Sequence, residues 1–254
     1  MLATVLFALY FAVHLVQTIR HRTAYFSPFA VGLAFEVVGY VARCLSARVD
    51  PYNLIYFIIQ YFFIVTAPVF LAAGLYAVLS ALIPRLGRRY TLVPPRVVLW
   101  FFIVSDSVAT VTQIAGAALI GVKQKRREDP AVAEKILLGG LAYQVFSMGL
   151  FLILAGVFVV RARRAVRESG LGGFVGAFVA AAVLVYLRTV FRLAETAEGL
   201  GGPLSTREVY FGTLEFLPIA LAVPLLAVWH PGRCVGRTIS PPKEEGGVEL
   251  SSRS

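Results

Sequence analysis

LIYFIIQYFFIVTAPVFLAAGLYAVLSALI, residues 54–83, runs for thirty positions without a charged side chain. About 20 apolar residues in a helix, rising 1.5 Å each, cross the roughly 30 Å of bilayer hydrocarbon. This stretch exceeds that need, so it reads as a transmembrane helix, and Thr66-Ala67-Pro68 near its middle predicts a kink. Working outward, six further apolar runs fall at 2–19, 25–45, 97–120, 135–160, 173–195 and 208–229. They are separated by Pro84, Pro94-Pro95, Pro130, Gly170 and Gly201-Gly202-Pro203. The fold class is therefore all-α, a polytopic membrane protein with one seven-helix bundle.

Composition agrees. The chain of 254 residues is 58% hydrophobic and only 15% charged, with a mean hydropathy of +0.78, whereas soluble domains are about a quarter charged. The net charge of +10 does not indicate nucleic acid, because the arginines sit in short loops between apolar runs and form no basic face on a soluble element. The run from Leu2 to Ile19 lacks a basic segment before it and ends in Arg20-His21-Arg22, so it reads as a retained first helix and not a cleaved signal. Residues 1–232 form the transmembrane domain on this reading. Residues 233–254, with Pro241-Pro242-Lys243-Glu244-Glu245, form a disordered cytoplasmic tail.

Cytoplasmic loops carry the excess of lysine and arginine. With seven helices and the N-terminus outside, fourteen of the 24 basic residues face the cytoplasm, Arg85, Arg88, Arg89, Arg161, Arg163, Arg164 and Arg167 among them. The outer set is seven, four of them crowded at Lys123, Lys125, Arg126 and Arg127. The expected orientation is N-terminus outside, C-terminus inside. It sets Cys44 and Cys234 on opposite sides, too far apart for a disulfide.

An ionisable side chain inside an apolar helix costs several kcal/mol unless it is paired or wetted. Those here are Glu36, Arg43, Asp106, Arg188, Arg192 and Glu215, with Glu195 at the rim. Three positive charges face three firmly intramembrane negative ones, which predicts a paired polar interior. Glu36, Tyr40 and Arg43 share a helix face by spacing, as do Asp106, Thr110 and Gln113, and Arg188, Arg192 and Glu195. At 1.5 Å per residue, Glu36, Arg43, Gln60, Gln113, Gln144, Arg188, Arg192 and Glu215 fall in the outer half and Asp106 near the midplane. The candidate pathway for a substrate is a pocket there, lined by Glu36, Tyr40, Arg43, Gln60, Asp106, Gln113, Gln144, Arg188, Arg192, Glu195 and Glu215 and floored by Asp106. The alternative is that such pairs, Arg192 with Glu195 or Glu215 for instance, only hold helices together. His14, His21 and His230 are scattered, and neither a metal site nor a haem ligand set is expected. No nucleotide-binding loop or zinc-protease motif occurs, so no cofactor and no ATP-driven step is expected of this chain.

These positions resemble the RTA-like (aminocholesterol-resistance) family of seven-helix fungal membrane proteins. EVVGYVAR (36–43) is similar to the family's second helix and QYFFIVTAPVFLAAGLY (60–76) to its third. Asp106 with Gln113 and Gly116 resembles the fourth, and GGLAYQ (139–144) the fifth. RTVFRLAETAEG (188–199), with Glu208, Glu215 and His230-Pro231-Gly232, resembles the last two. The chain departs from the pattern in starting almost at its first helix and in having no Asn-x-Ser/Thr sequon. Its single asparagine is Asn53.

The resemblance implies translocation of amphipathic lipids such as sphingoid long-chain bases, in stress resistance and at the plasma membrane. It equally admits porphyrin or haem transport. Membrane lipids or amphipathic small molecules are the implied partners. Carboxylates at Glu36, Asp106 and Glu215 suit an amine, and the nearby arginines suit a phosphate or propionate. A seven-helix sensor signalling through the arginine-rich loops, and an enzyme acting on lipid, are the competing functions. Nothing in the sequence sets an oligomeric state.

Overall fold

The computed structural model describes residues 2–48, 54–199, 204 and 208–234. The spanning helices are α1 (Leu2–His21), α2 (Ser27–Arg48), α3 (Leu54–Leu86), α4 (Pro95–Arg126), α5 (Ala131–Arg161), α6 (Gly172–Glu198) and α7 (Leu217–Val228). A π-helical turn, Phe211–Phe216, leads into α7, and one short helix, Arg163–Glu168, joins α5 to α6. The described residues contain no strand, and seven segments are long and apolar enough to cross a membrane, the last being Gly212–Cys234. The chain is a seven-helix multi-pass membrane protein.

The helix count matches the apolar runs, but the ends do not. α4 continues through Lys123, Lys125 and Arg126 to meet α5 almost directly, where the charge cluster reads as loop. Once clear of hydrocarbon, a charged stretch keeps its backbone bonds as a helix at no desolvation cost. Residues 235–254, expected as a disordered tail, and Gly201-Gly202-Pro203 lie outside the described residues.

Neighbours in sequence are neighbours in space, with α2 against α3, α4 against α5 and α6 against α7. The α4–α5 seam brings backbones into contact. A Cβ on Gly116 would stand 2.7 Å from the Leu137 nitrogen, and one on Gly140 would stand 3.1 Å from the Ala109 carbonyl. In the half of the bundle toward Leu86, Pro95, Arg161 and Gly172 the space between α3, α4, α5 and α6 is filled by apolar side chains, with buried His14, Thr23 and His230 at the edge where α1 meets the end of the chain's last helix. Tyr76, Phe102 and Phe151 meet there edge-to-face or tilted with ring centroids 4.5–5.5 Å apart, and Phe158, Phe174 and Phe178 continue the plug. The opposite half holds the polar interior.

α1 is the least enclosed of the seven, and it is fastened to α7 by backbone acceptors. Tyr10, His14 and Gln17, on one face of α1, bond the carbonyls of Ala220 (3.2 Å), Val223 (3.1 Å) and Ala227 (3.1 Å). Ala220 stands four residues ahead of Pro224 inside α7, and Ala227 lies in the last turn of α7, where carbonyls have no donor within the helix. A proline has no N–H to return to the carbonyl four residues back, so a side chain of α1 supplies the missing donor. Thr4 Oγ1 meets Cys44 Sγ at 3.5 Å at one end of α1, while Gly232 packs on His21 at the other. Cys44 and Cys234, neither of them in a disulfide, are thus about 25 Å apart along that helix.

Candidate functional site

Arg188 of α6 is wholly buried and lies between two carboxylates from different helices. Its Nη1 donates to Glu36 Oε1 of α2, and its Nη2 donates to Glu215 Oε1 at 2.8 Å, in the π turn before α7. Nη2 also reaches the Ile64 carbonyl of α3 at 3.2 Å. Pro68 stands four residues after Ile64 and has no N–H to give it. α3 continues through Pro68 without a break, and the acceptor this proline frees completes the guanidinium's shell. Four helices meet on one cation.

Tyr40 is buried one turn from Glu36 and stacks on Phe7 with centroids 5.2 Å apart. Arg192, one turn beyond Arg188, pairs with Glu195 at 2.9 Å on its own helix. Of the two partners the sequence allows Arg192, it takes Glu195, and Glu215 is given to Arg188. Gln113 Nε2 donates to Gln144 Oε1 at 2.8 Å across the α4–α5 seam. Gln113, Gln144, Arg188 and Arg192 line one narrow cleft with Ile64 and Pro68. Arg43 and Gln60 are half-buried and are not among its lining residues.

Asp106 is fully enclosed but apart from this cluster, two helical turns or about 10 Å from Gln113 along α4. Tyr76 donates to its Oδ2 at 2.6 Å. Ser147 also hydrogen-bonds the carboxylate, and no cation pairs with it among the described residues. Next to it, Ser105 Oγ lies 3.0 Å from both the Ser147 and Tyr143 hydroxyls. Tyr76 and Tyr143 read as aromatic packing, and Ser105 and Ser147 are not legible as site residues, because serine and threonine hydroxyls in an apolar helix ordinarily bond their own backbone. Ser107, Thr110 and Thr112 do so here.

The charge balance also differs from the sequence reading. Three positive charges against three negative ones become, among the fully buried side chains, Glu36, Asp106 and Glu215 against Arg188 alone. Arg43 and Arg192 are only partly buried. The deep interior is formally two charges negative, and its single cation is enclosed by two carboxylates.

The histidines are not scattered. His14 and His230 are buried with ring centroids 6.0 Å apart, and His21 lies 5.6 Å from His230. The Gly232 N–H donates to His230 Nδ1, so in the neutral ring Nε2 carries the proton and offers no lone pair to a metal. Their grouping depends on α1 meeting the end of the last segment, which local sequence does not reveal.

A family model described as RTA1 like protein matches residues 29–238. The sphingoid long-chain base transporter RSB1 of Saccharomyces cerevisiae (strain ATCC 204508 / S288c) is 28% identical over 96% of this chain and 74% of its own length. Protoporphyrin uptake protein 1 of the same yeast is 27% identical over 80% of this chain and 67% of its own. Protein RTA1 is 25% identical over 80% and 65%. No solved structure matches the chain.

Proposed function

The chain belongs to the RTA1-like family, and from that premise we propose that it moves amphipathic lipids bearing a cationic headgroup, sphingoid long-chain bases first, across the membrane. The observation that supports this reading is the excess of buried carboxylate. A phosphate or propionate would need a free cation, and Arg188 is already bracketed by Glu36 and Glu215. An amine meets Asp106, a buried carboxylate with no cation paired to it among the described residues, and the lipid-facing surface leaves its hydrocarbon tail in the bilayer. The pathway assigned to it comprises Gln113, Gln144, Arg188 and Arg192, which line the cleft, with Glu36, Tyr40, Arg43, Gln60, Glu195 and Glu215, and Asp106 two helical turns farther along α4.

The purified chain in phosphatidylcholine vesicles, given fluorescent sphingosine, is expected to accelerate its passage between leaflets without another protein present. Flux at the rate of empty vesicles, together with a sphingosine-dependent response in cells, would replace this reading with that of a sensor.

The plasma membrane is the proposed location, with the N-terminus outside and the polar half toward the outer leaflet. The arginine-rich ends of α3 and α5 then face the cytoplasm, as their charge requires. A tag added after Ser254 is expected to resist external protease in intact cells, and its digestion there would reverse the orientation.

A further inference from the structure

Tyr143 is 44% exposed on the outer surface of α5, a surface that faces lipid. It stands about 18 Å from the Ala131 end of a helix about 46 Å long, well below the headgroup level where tyrosines ordinarily gather. A phenol cannot bond its own helix backbone as a serine or threonine can, and a hydroxyl left bare in hydrocarbon costs several kcal/mol. Its partner is Ser105 of α4, 3.0 Å away, itself 3.0 Å from Ser147 of α5. Ser105 and Ser147 are buried, and Ser105 is the chain neighbour of Asp106. Ser105 has one proton for two neighbours, so it donates to one hydroxyl and accepts from the other. The result is a directional row of hydroxyls leading from the lipid face to the enclosed carboxylate. A second observation points the same way, since Asp106 is nine-tenths buried or more and Ser147 as well as Tyr76 hydrogen-bonds it, so the row ends on the carboxylate itself.

We propose that Tyr143, Ser105 and Ser147 form a lateral entry between α4 and α5, through which the headgroup of a membrane amphiphile passes from the bilayer to Asp106 while its tail stays among the lipids. The inference rests on the lipid-transport reading for its substrate class and adds the route. Each hydroxyl both donates and accepts, so the row can hand an ammonium or hydroxyl group from oxygen to oxygen without leaving it bare in hydrocarbon. Close contact at Gly116 and Gly140 shuts the seam toward the Ala131 end, and the packed Tyr76, Phe102 and Phe151 block it below. The hydroxyl row is the polar interruption between these two seals.

The test uses the full chain in phosphatidylcholine vesicles with photoactivatable sphingosine, mapping labelled peptides by mass spectrometry alongside flux. In the wild type, both the α5 peptide holding Tyr143 and the α4 peptide holding Asp106 should be labelled. Tyr143→Phe removes one oxygen and keeps the ring. It should lower labelling of the Asp106 peptide and flux together by about threefold to tenfold, the factor a single hydrogen bond commands, at an unchanged melting temperature. An unlabelled Tyr143 peptide, or an Asp106 peptide labelled equally in wild type, Tyr143→Phe and Tyr143→Ala, overturns the entry route. A loss of melting temperature without loss of labelling overturns it too and leaves these hydroxyls a strut between helices. Labelling at Tyr143 without any wild-type flux would instead sink the transport reading and keep the binding route.

Discussion

Arg188→Ala is expected to prevent accumulation of the folded protein. The substitution removes the one cation at a junction of four helices and leaves Glu36 and Glu215, both fully enclosed, facing each other unpaired. Removing one partner of a buried ion pair costs about 3–5 kcal/mol, against a total stability of only about 5–15 kcal/mol for ordinary proteins. Arg192→Ala should cost under about 1 kcal/mol, because its pair with Glu195 lies within one helix and is partly exposed. Fluorescence-detected size exclusion after a heating series measures both. The triple variant Arg188→Met, Glu36→Gln, Glu215→Gln should recover much of the fold, since it leaves no charge behind, and it should not recover flux. A thermal midpoint for Arg188→Ala equal to wild type would show that the junction does not hold the bundle. In double-variant cycles, Arg188 and Glu215 should couple strongly, and more than Arg192 and Glu215 do.

The second large effect concerns Asp106. Asp106→Asn preserves shape and can still accept from Tyr76, whose hydroxyl is 2.6 Å away, so expression and thermal midpoint should stay near wild type. The charge that would hold an ammonium is gone. Flux of sphingosine in vesicles is expected to fall at least about tenfold, the equivalent of ~1.4 kcal/mol. Wild-type flux from the Asn variant would leave the carboxylate a purely structural acceptor. Tyr76→Phe separates the two roles from the other side: it deprives a buried carboxylate of its donor, a loss of about 1–3 kcal/mol in stability.

The seven helices are legible because charge-free runs of this length have no other use, yet their ends are not, since nothing in Lys123 to Arg126 forbids a helix outside the hydrocarbon. Glu36, Arg188 and Glu215 are likewise legible as costly residues needing partners. Which arginine takes Glu215 is not, because Arg188 and Arg192 lie on one stripe of α6. Two features of other segments decide it: the Ile64 carbonyl freed by Pro68, and the π turn that carries Glu215. A π turn holds more than 3.6 residues, so it rotates the faces beyond it out of the register that α-helical spacing predicts. Tyr76 lies inside a quoted motif and still reads as core until Asp106, thirty residues away, is seen against it.

The carbonyls of Ile64, Ala220 and Ala227 accept bonds from Arg188, Tyr10 and Gln17, and every residue type carries a carbonyl. The side chains at 64, 220 and 227 are therefore free to vary in size without loss of the acceptor, while for Ile64 and Ala220 the chemical requirement is displaced four residues along the chain, to Pro68 and Pro224, and for Ala227 to the end of the helix itself. Pro68→Ala, which would steady α3 as an isolated helix, also returns an N–H to the Ile64 oxygen and sets it in competition with Arg188. What looks on the helix wheel like a breaker to be repaired is a reserved acceptor, and mending the helix there weakens the junction between helices.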